Sequence, residues 1–246
     1  MTIAITFWGT QKYLNFFSNW YDSIEENFMP NIEKKYFVFT DGEFGGDVPE
    51  NIKLVNIPHY GFPDTFFKTF EKLLEIEKDC KDCDWLVTID ADMIVHGKVT
   101  FEEFFGNDET KKYLGVHHPC HYLRMPPHDR LPGCFDTNQN SNACIEPGMD
   151  LSMYWQTCLW GGRIPYVFDM MRQIDSWTKD DLSKNVTARF YEESYINKFY
   201  ILNKGDVITL GPEFAFPESF EKFCDFSKKI VHISKDNKQY HENPEW

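Results

Sequence analysis

Two pairs of carboxylates stand out because each lies beside a run of residues that predicts a buried element. Asp90-Ala91-Asp92 stands at the end of the apolar strand predicted over 84–90, and Glu192-Glu193 lies near the start of a helix predicted over 191–200. Ligands bind beyond the carboxyl ends of strands in open α/β sheets, so Asp90 and Asp92 are predicted to face a crevice. Paired carboxylates with open positions suit Mn²⁺ or Mg²⁺, which in turn would bind a diphosphate. The alternative is a simple acidic turn after a strand.

Glu192 and Glu193 also allow two interpretations. Acidic side chains are stabilised at a helix N-terminus by the helix dipole, and this effect alone would account for the pair. The apolar neighbours Phe190, Tyr191 and Tyr195 favour a different role, in which one partly desolvated carboxylate acts as a base or a nucleophile. The spacing alone favours the plain charge effect.

A third segment combines aromatic rings with hydrogen-bonding side chains ahead of a glycine pair. It reads Trp155-Gln156-Thr157-Cys158-Leu159-Trp160-Gly161-Gly162. Aromatic faces stack on the apolar side of sugars, and an amide side chain hydrogen-bonds their hydroxyls. Leu159 is predicted to be core, whereas Trp155 and Gln156 fit either the core or a sugar site.

Cysteines and histidines give weaker signals. The seven cysteines are an odd number without a regular framework, which is typical of a reducing compartment. Cys80 and Cys83 form a lone CxxC that ends a helix among acidic residues, so we interpret them as loop cysteines rather than a redox or metal pair. The cluster 117–121 contains three histidines and one cysteine, but no second spaced pair of zinc ligands follows it.

Composition and charge exclude several classes of protein. The 246 residues are 42% hydrophobic, enough for a sizeable core, and we see no linker that would divide them into separate domains. With 25 basic and 39 acidic residues the net charge is −14, which disfavours nucleic acid and an anionic membrane surface as partners. There is no run of about 18 apolar residues and no signal-peptide pattern, so we expect a cytoplasmic protein without membrane insertion.

Periodicity predicts alternating strands and helices. Strands are predicted over 2–8, 36–41, 52–57, 84–90, 113–118, 207–210 and 230–234, and helices over 13–28, 64–78, 165–177 and 191–200. This alternation predicts an α/β fold with a mostly parallel sheet. The stretch 119–152 shows no period and is predicted to be a functional or mobile loop. The polar C-terminal tail, about 228–246, is predicted to be mobile.

Several motifs match one family in the same order along nearly the whole chain. They are Asp90-Ala91-Asp92-Met93, the segment from Tyr154 to Gly162, the segment Phe190-Tyr191-Glu192-Glu193-Ser194-Tyr195-Ile196-Asn197-Lys198, and the stretch 202–213. On these motifs the chain resembles the family 6 retaining glycosyltransferases. That group contains the blood-group A and B transferases and the α-1,3-galactosyltransferase, with bacterial and phage relatives.

The resemblance implies a single catalytic domain over 1–246 with a GT-A fold, a Rossmann-like mixed and mostly parallel sheet flanked by helices. It implies transfer of a sugar from UDP-galactose (UDP-Gal) or UDP-N-acetylgalactosamine (UDP-GalNAc) to a hydroxyl of a glycan, in an α-1,3-type linkage. It also assigns roles to individual positions. Glu193 would be catalytic; Phe7, Trp8, Tyr13, Lys68, Asp90, Asp92, Lys235 and Lys238 would bind the donor; His118, Gln156, Thr157, Cys158, Phe190 and Glu192 would contact the acceptor or set specificity.

The metal motif points to a metal-dependent member. Bacterial members usually carry asparagine at both positions, so the aspartates Asp90 and Asp92 imply Mn²⁺, with Mg²⁺ as a substitute. Two other functions stay open: a decayed module that binds a sugar nucleotide or a glycan, indicated by Tyr191, Tyr195 and Gln156, and a UDP-sugar hydrolase. Turnover that an acceptor stimulates would separate a transferase from both.

Overall fold

A computed structural model describes residues 1–42, 44, 48–223 and 227–240, with the side chains of 237 and 238 left out. Its strands are β1 (Thr2–Trp8), β2 (Glu33–Thr40), β3 (Ile52–Asn56), β4 (Trp85–Ile89), β5 (Met93–Val95), β6 (Tyr113–His117), β7 (Trp155–Arg163), β8 (Val207–Leu210), β9 (Phe216–Pro217) and β10 (Ile230–His232). Its α-helices are α1 (Phe17–Asn27), α2 (Asp64–Leu73), α3 (Phe101–Phe105), α4 (Pro119–Tyr122), α5 (Tyr166–Ser183), α6 (Tyr191–Leu202) and α7 (Asn237–Tyr240).

The main sheet has seven strands in the order β3-β2-β1-β4-β7-β6-β8. Strands β3, β2, β1 and β4 run parallel to one another, and β6 runs parallel to β8. Strand β7 is inserted antiparallel between β4 and β6. The predicted mixed, mostly parallel α/β sheet is therefore confirmed.

Both faces of this sheet are covered. Along β1 the side chain of Ala4 lies in one core cluster with Phe70 of α2 and Met171 of α5, whereas its neighbour Ile3 lies in a second cluster with Trp20 of α1. Successive side chains of a strand point to opposite faces, so each apolar run feeds two cores. This explains why β1 and β4 are apolar at nearly every position.

A second, three-stranded sheet was not predicted from the sequence. It has the order β5-β10-β9, with β10 antiparallel to β5 and parallel to β9. Its strands have two or three residues each, too few for a period-2 pattern to be visible. The sheet starts directly after Asp92 and places His232 opposite Met93.

Several helix boundaries differ from the predicted ones, and α6, predicted over 191–200, ends at Leu202. The predicted helix 13–28 starts as a 3₁₀ turn, Gln11–Phe16, before α1. The predicted helix 64–78 is α2 followed by the 3₁₀ helix Leu74–Asp79, and α5 continues past residue 177 to Ser183. The boundaries are decided by tertiary packing, which propensity reflects only weakly.

The long segment 119–152 is anchored to the helices that pack beside it. After the single turn of α4, its Ser141 hydroxyl donates a 2.7 Å hydrogen bond to the buried Asp181 of α5. The buried Lys198 of α6 donates to the carbonyl oxygen of Cys144 at 2.6 Å. Buried charged groups are stable only when hydrogen-bonded, so these contacts tie the segment to both helices.

Cys80 and Cys83 are buried free thiols just after the 3₁₀ helix that follows α2, as predicted for loop cysteines. Among the residues that the structure describes, no helix combines the length and the apolar character that crossing a bilayer requires.

Candidate functional site

The carboxyl end of β4 meets the start of β7. Their antiparallel register pairs Ile89 with Leu159, and the backbone N–H of Asp90 donates to the carbonyl oxygen of Cys158 at 2.9 Å. The pairing places Asp90 next to residues 157 and 158, which lie 67 and 68 positions further along the chain. It brings the acidic motif and the segment of mixed aromatic and polar residues into one site.

Strand β7 bulges away from β6 at this point. Gly115 pairs with Trp160 and Val116 with Gln156, so residues 157–159 have no partner on β6. Bulges beside active sites re-aim side chains, and this one contains Thr157, while Gln156 stays inside the fold. The Gln156 side chain is buried and donates to the carbonyl oxygen of Ala215, which gives it a structural partner.

Helix α6 is clamped to the same strand. The Asn197 side chain accepts a hydrogen bond from the backbone N–H of Trp155 at 2.9 Å and donates to its carbonyl oxygen at 2.7 Å. One turn earlier on the helix, Glu193 reaches the same region. Its Oε1 accepts from the Tyr154 hydroxyl at 2.8 Å and its Oε2 from the Thr157 hydroxyl at 3.4 Å.

Burial, rather than the helix dipole, sets the ionisation of the two glutamates. A helix N-terminus favours the charged form and would lower a carboxyl pKa, but burial raises the pKa of Glu193 to about 7, against the opposing hydrogen bonds from Tyr154 and Thr157. Burial also raises the pKa of Glu192 well above its usual range. Glu192 Oε2 is buried without a hydrogen-bond partner among the described residues. These findings favour the desolvated-carboxylate interpretation over the plain charge effect.

Asp90 and Asp92 have opposite electrostatic environments. Asp90 is exposed at the end of β4, but the protein packed around its carboxyl group partly desolvates it. This desolvation is the larger cause, and the charge of Asp92 the second, of a rise in its pKa to about 7. Asp92 is buried, which alone would raise its pKa, but contacts with His232 and Lys235 outweigh this and hold the pKa well below the usual range. His232 Nε2 lies 3.0 Å from Asp92 Oδ2, and Lys235 Nζ donates to the same oxygen.

The charges of three carboxylates, Asp90, Asp92 and Glu193, act on the Cys158 side chain. Burial raises the pKa of the Cys158 thiol, and the charges of all three carboxylates raise it further. Glu193 also raises the pKa of Asp90. The structure thus brings both acidic motifs of the sequence to the same end of β7.

The donor set fits a divalent cation that is shared with a ligand. Asp90 offers an accessible hard oxygen donor, whereas the Asp92 carboxylate is held by His232 and Lys235. Within 1–42, 44, 48–223 and 227–240, no group of three or more histidine, cysteine or acidic side chains is arranged to hold a metal ion. Mg²⁺ and similar ions are commonly bound by one or two carboxylates together with substrate phosphates. Asp90 and Asp92 match that pattern.

Two of the residues assigned to the donor, Phe7 and Trp8, end β1, which pairs with β4. The Phe7 ring is fully buried against Phe17 and Trp20, at centroid distances of 5.2 and 5.0 Å, so only its backbone is available to a ligand. Trp8 stacks on Phe39 at 5.2 Å and is half-buried.

Tyr13 is half-buried, with Lys235 Nζ 5.1 Å from its ring centroid. Lys68 forms an ion pair with Glu71 on α2, with Nζ and Oε2 3.2 Å apart. The Lys238 side chain lies outside the described residues. Lys235 is therefore the one predicted basic residue whose described side chain contacts the acidic motif directly.

Of the residues assigned to the acceptor, His118 lies directly before the long segment 119–152, and Tyr154 lies just after that segment. The backbone N–H of His118 donates to the Tyr154 carbonyl oxygen at 2.9 Å, and the two rings lie 5.6 Å apart. His128, which was not predicted, packs 4.8 Å from the Tyr154 ring. Burial lowers the pKa of His118 to about 3 and that of His128 to about 4, so both imidazoles are neutral at pH 7. Phe190 is half-buried at the start of α6.

In addition to His128, the sequence did not predict two residues that contact the carboxylates of the site, Tyr154 and His232. Tyr154 belongs to one of the family motifs, but nothing in the neighbouring sequence indicates that its hydroxyl donates to Glu193. His232 lies in a predicted strand, and only the small sheet brings it to Asp92.

Comparison with known proteins identifies a family that matches nearly the whole chain. The family model described as glycosyltransferase family 6 matches residues 1–243. The O-antigen biosynthesis glycosyltransferase WbnI of Escherichia coli is 26% identical over 247 residues, covering 99% of each chain. The human globoside alpha-1,3-N-acetylgalactosaminyltransferase 1 is 24% identical over 226 residues, which are 89% of this chain and 62% of the human protein.

The rat histo-blood group ABO system transferase 2 is 22% identical over 243 residues, covering 95% of this chain and 69% of the rat protein. The family model spans almost the entire chain, and its range contains both acidic motifs and the β7 segment. The chain therefore belongs to glycosyltransferase family 6, and its mixed, mostly parallel sheet flanked by helices is consistent with the GT-A fold of that family.

Proposed function

We propose that this glycosyltransferase is metal-dependent and retaining, and moves galactose or N-acetylgalactosamine from a UDP-sugar to a glycan hydroxyl in an α-1,3-type linkage. The observation that carries the proposal is that both acidic motifs meet the start of β7: the Asp90 backbone N–H donates to the Cys158 carbonyl oxygen, and Glu193 accepts from the Thr157 hydroxyl. Two functions are needed for such a transfer: one group must hold the leaving diphosphate and another must face the anomeric carbon. The relatives named for α-1,3-N-acetylgalactosaminyl transfer and for blood-group transfer support the same class of reaction.

Asp90 and Asp92 would hold the cation that accompanies the diphosphate. The family is typically metal-dependent, and an ion held by these carboxylates would supply positive charge to balance that of the diphosphate. Lys235 donates to Asp92 and would also donate to phosphate oxygens, because charge-assisted hydrogen bonds of this kind are strong. Of the donor-side residues, Lys238 and the backbone at Phe7 complete the proposed set with Trp8 and Tyr13.

Glu193 would act on the anomeric carbon from the face opposite the diphosphate. Retention needs either a covalent glycosyl intermediate on this carboxylate or a charge-stabilised oxocarbenium-like state, and both require the ionised form. Tyr154 and Thr157 each donate to one oxygen of Glu193, so the group is oriented before substrate binds. Preorganised groups cost no reorganisation during reaction.

Glu192 would bind a substrate hydroxyl. Its Oε2 is buried and unpaired within the described structure, and a buried polar atom without a partner is costly. A sugar hydroxyl that donates to this oxygen removes the cost, so Glu192 contributes to binding and specificity. His118, Thr157, Cys158, Phe190 and Gln156 would contribute to acceptor binding or specificity. The Gln156 side chain would do so indirectly, because it is buried and donates to the Ala215 carbonyl oxygen.

The decisive experiment measures UDP release with a panel of UDP-sugars, with and without fucosylated and unfucosylated galactosides as acceptors. We expect release from UDP-Gal or UDP-GalNAc that an acceptor stimulates, that EDTA abolishes, and that Mn²⁺ restores better than Mg²⁺. Asp90→Asn is expected to lose most of this turnover.

The other outcomes of this experiment would contradict the metal assignment or identify a different function. Full turnover in chelator overturns the metal assignment. UDP release that no acceptor stimulates identifies a hydrolase, and donor binding without any release identifies a binding module.

A further inference from the structure

A cavity of about 810 Å³ lies between the long segment and helices α5 and α6. Ligand pockets have volumes of roughly 300–1,000 Å³, so this cavity is large enough for a small organic ligand. Its wall comes mainly from residues 132–151, with Trp177 of α5 and Lys198 of α6. Neither acidic motif lines it.

The wall combines an aromatic ring with amide and hydroxyl groups. Trp177 is half-buried: it packs against the core and also lines the cavity. Thr137 and Gln139 line the same cavity and are exposed, and their side chains make no hydrogen bond to any other residue within the described ranges. An aromatic face with uncommitted hydrogen-bonding side chains is the chemistry that recognises a sugar ring and its hydroxyls.

The frame behind these groups is rigid. Ser141 and Asn142 also line the cavity, and both donate hydrogen bonds to the buried Asp181 carboxylate. The Ser141 hydroxyl donates at 2.7 Å and the Asn142 backbone N–H at 3.0 Å. A preformed wall lowers the entropy that a ligand loses on binding.

The formal charges of the wall cancel. Lys198 Nζ lies 3.2 Å from Glu146 Oε1, and these two are the charged residues of the lining. A charged ligand would have to compete with this ion pair. A neutral ligand would not, so the lining favours a neutral one.

The cavity and the proposed active site share helix α6 and the long segment, but they lie on different sides of that helix. Lys198 follows Glu193 by five residues on α6, which turns its side chain by about 140° around the helix axis. The segment 132–151 lies in the chain between His118 and Tyr154, which are joined by a backbone hydrogen bond, and Tyr154 donates to Glu193. A molecule in the cavity therefore lies beside the acceptor region and away from the reacting carbon.

We propose that this cavity is a second carbohydrate site, which binds neutral sugar residues of an extended glycan acceptor at a distance from the hydroxyl that accepts the transferred sugar. The inference rests on the proposed transferase function, because it gives the extended acceptor its role. It predicts that the protein prefers a long acceptor over the short acceptor that carries the same terminal sugars.

The test uses a neutral, galactose-terminated hexasaccharide and the disaccharide of its accepting end. For the full-length protein we expect a KM for the hexasaccharide about tenfold lower than that for the disaccharide. The double variant Thr137→Ala/Gln139→Ala and the single variant Trp177→Phe are expected to shrink this advantage to about twofold. Gln173→Ala, an exposed change elsewhere on α5, is the matched control and should retain it.

A binding measurement separates this inference from the proposed function. Hexasaccharide binding to Glu193→Gln, followed by saturation-transfer NMR without donor, should persist and should weaken when Thr137→Ala/Gln139→Ala is added. Equal KM values for the two acceptors, or hexasaccharide binding that the cavity variants leave unchanged, overturns the second site. Absence of transfer together with cavity-dependent binding refutes the transferase function and leaves a glycan-binding cavity.

Discussion

The Tyr154 hydroxyl donates a 2.8 Å hydrogen bond to Glu193 Oε1, although the two residues are 39 positions apart. Tyr154 lies directly before β7 and Glu193 lies in the first turn of α6, which Asn197 clamps to that strand. The orientation of Glu193 therefore depends on how the helix docks against the sheet. The following predictions use this relationship and the electrostatics around it.

Glu193→Gln retains the shape of the side chain and removes its charge. We expect kcat to fall by roughly 10²-fold or more, about 2.7 kcal/mol, with little change in donor affinity, because the ionised carboxylate acts mainly in the transition state. Steady-state kinetics of UDP release measures this.

Glu192→Gln is the matched control for that experiment. Its carboxylate points about 100° away along the helix, so the change should act mainly on substrate binding and on stability. Abolished turnover in Glu192→Gln with near-normal turnover in Glu193→Gln would reverse the two roles.

The stability of the protein should depend on pH through Glu193. Its folded-state pKa, about 7, lies above the ordinary value of 4.5, so between these pH values the folded state binds more protons than the unfolded state. Stability from this group is therefore fully present below about pH 4.5 and is lost as the pH rises through 7, by up to roughly 3 kcal/mol.

Glu193→Gln removes this dependence. Urea unfolding should show the variant gaining stability relative to the parent protein between pH 5 and pH 8, with the difference vanishing near pH 4. A difference that does not change with pH would contradict the raised pKa of Glu193.

Tyr154→Phe should shift the pH profile of the reaction. The Tyr154 hydrogen bond lowers the pKa of Glu193, so its removal raises that pKa and leaves less of the ionised form at pH 7. We expect a roughly fivefold loss of kcat/KM at pH 7, as for one hydrogen bond of about 1 kcal/mol, with recovery at higher pH.

Thr157→Val provides the comparison, because its hydrogen bond to Glu193 is longer, at 3.4 Å, and should matter less. A loss in Tyr154→Phe that is equal at every pH would show that Tyr154 acts through packing alone.

The chain around Lys235 should become protected when donor binds. We expect trypsin to cleave after Lys235 several-fold more slowly with UDP and Mn²⁺ together, because the pyrophosphate provides additional charged partners for this lysine. Cleavage after Lys184, an exposed residue at the end of α5, is the internal control. Equal rates at Lys235 with and without UDP and Mn²⁺ would argue against closure by this segment.

The local elements were readable from the sequence because their signals come from adjacent residues. The continuous apolar runs of β1 and β4 reflect burial on both faces of a sheet, and the spacing in α2 and α5 reflects one buried helix face. Asp90 and Asp92 were placed at a cleft by the same reasoning, since a polar pair that ends a buried strand must lie at the sheet edge. The family motifs then named Glu193.

Pairing between distant segments was not readable in this way. Lys235 and Asp92 are 143 positions apart, and they meet because β10 enters a small sheet whose strands are too short to show a pattern. The raised pKa of Glu193 depends likewise on burial that only the packed fold provides. The periodicity of a strand or helix records only which face is buried, whereas partners, burial depth and ionisation depend on which segments pack together, and that was decided by the tertiary fold.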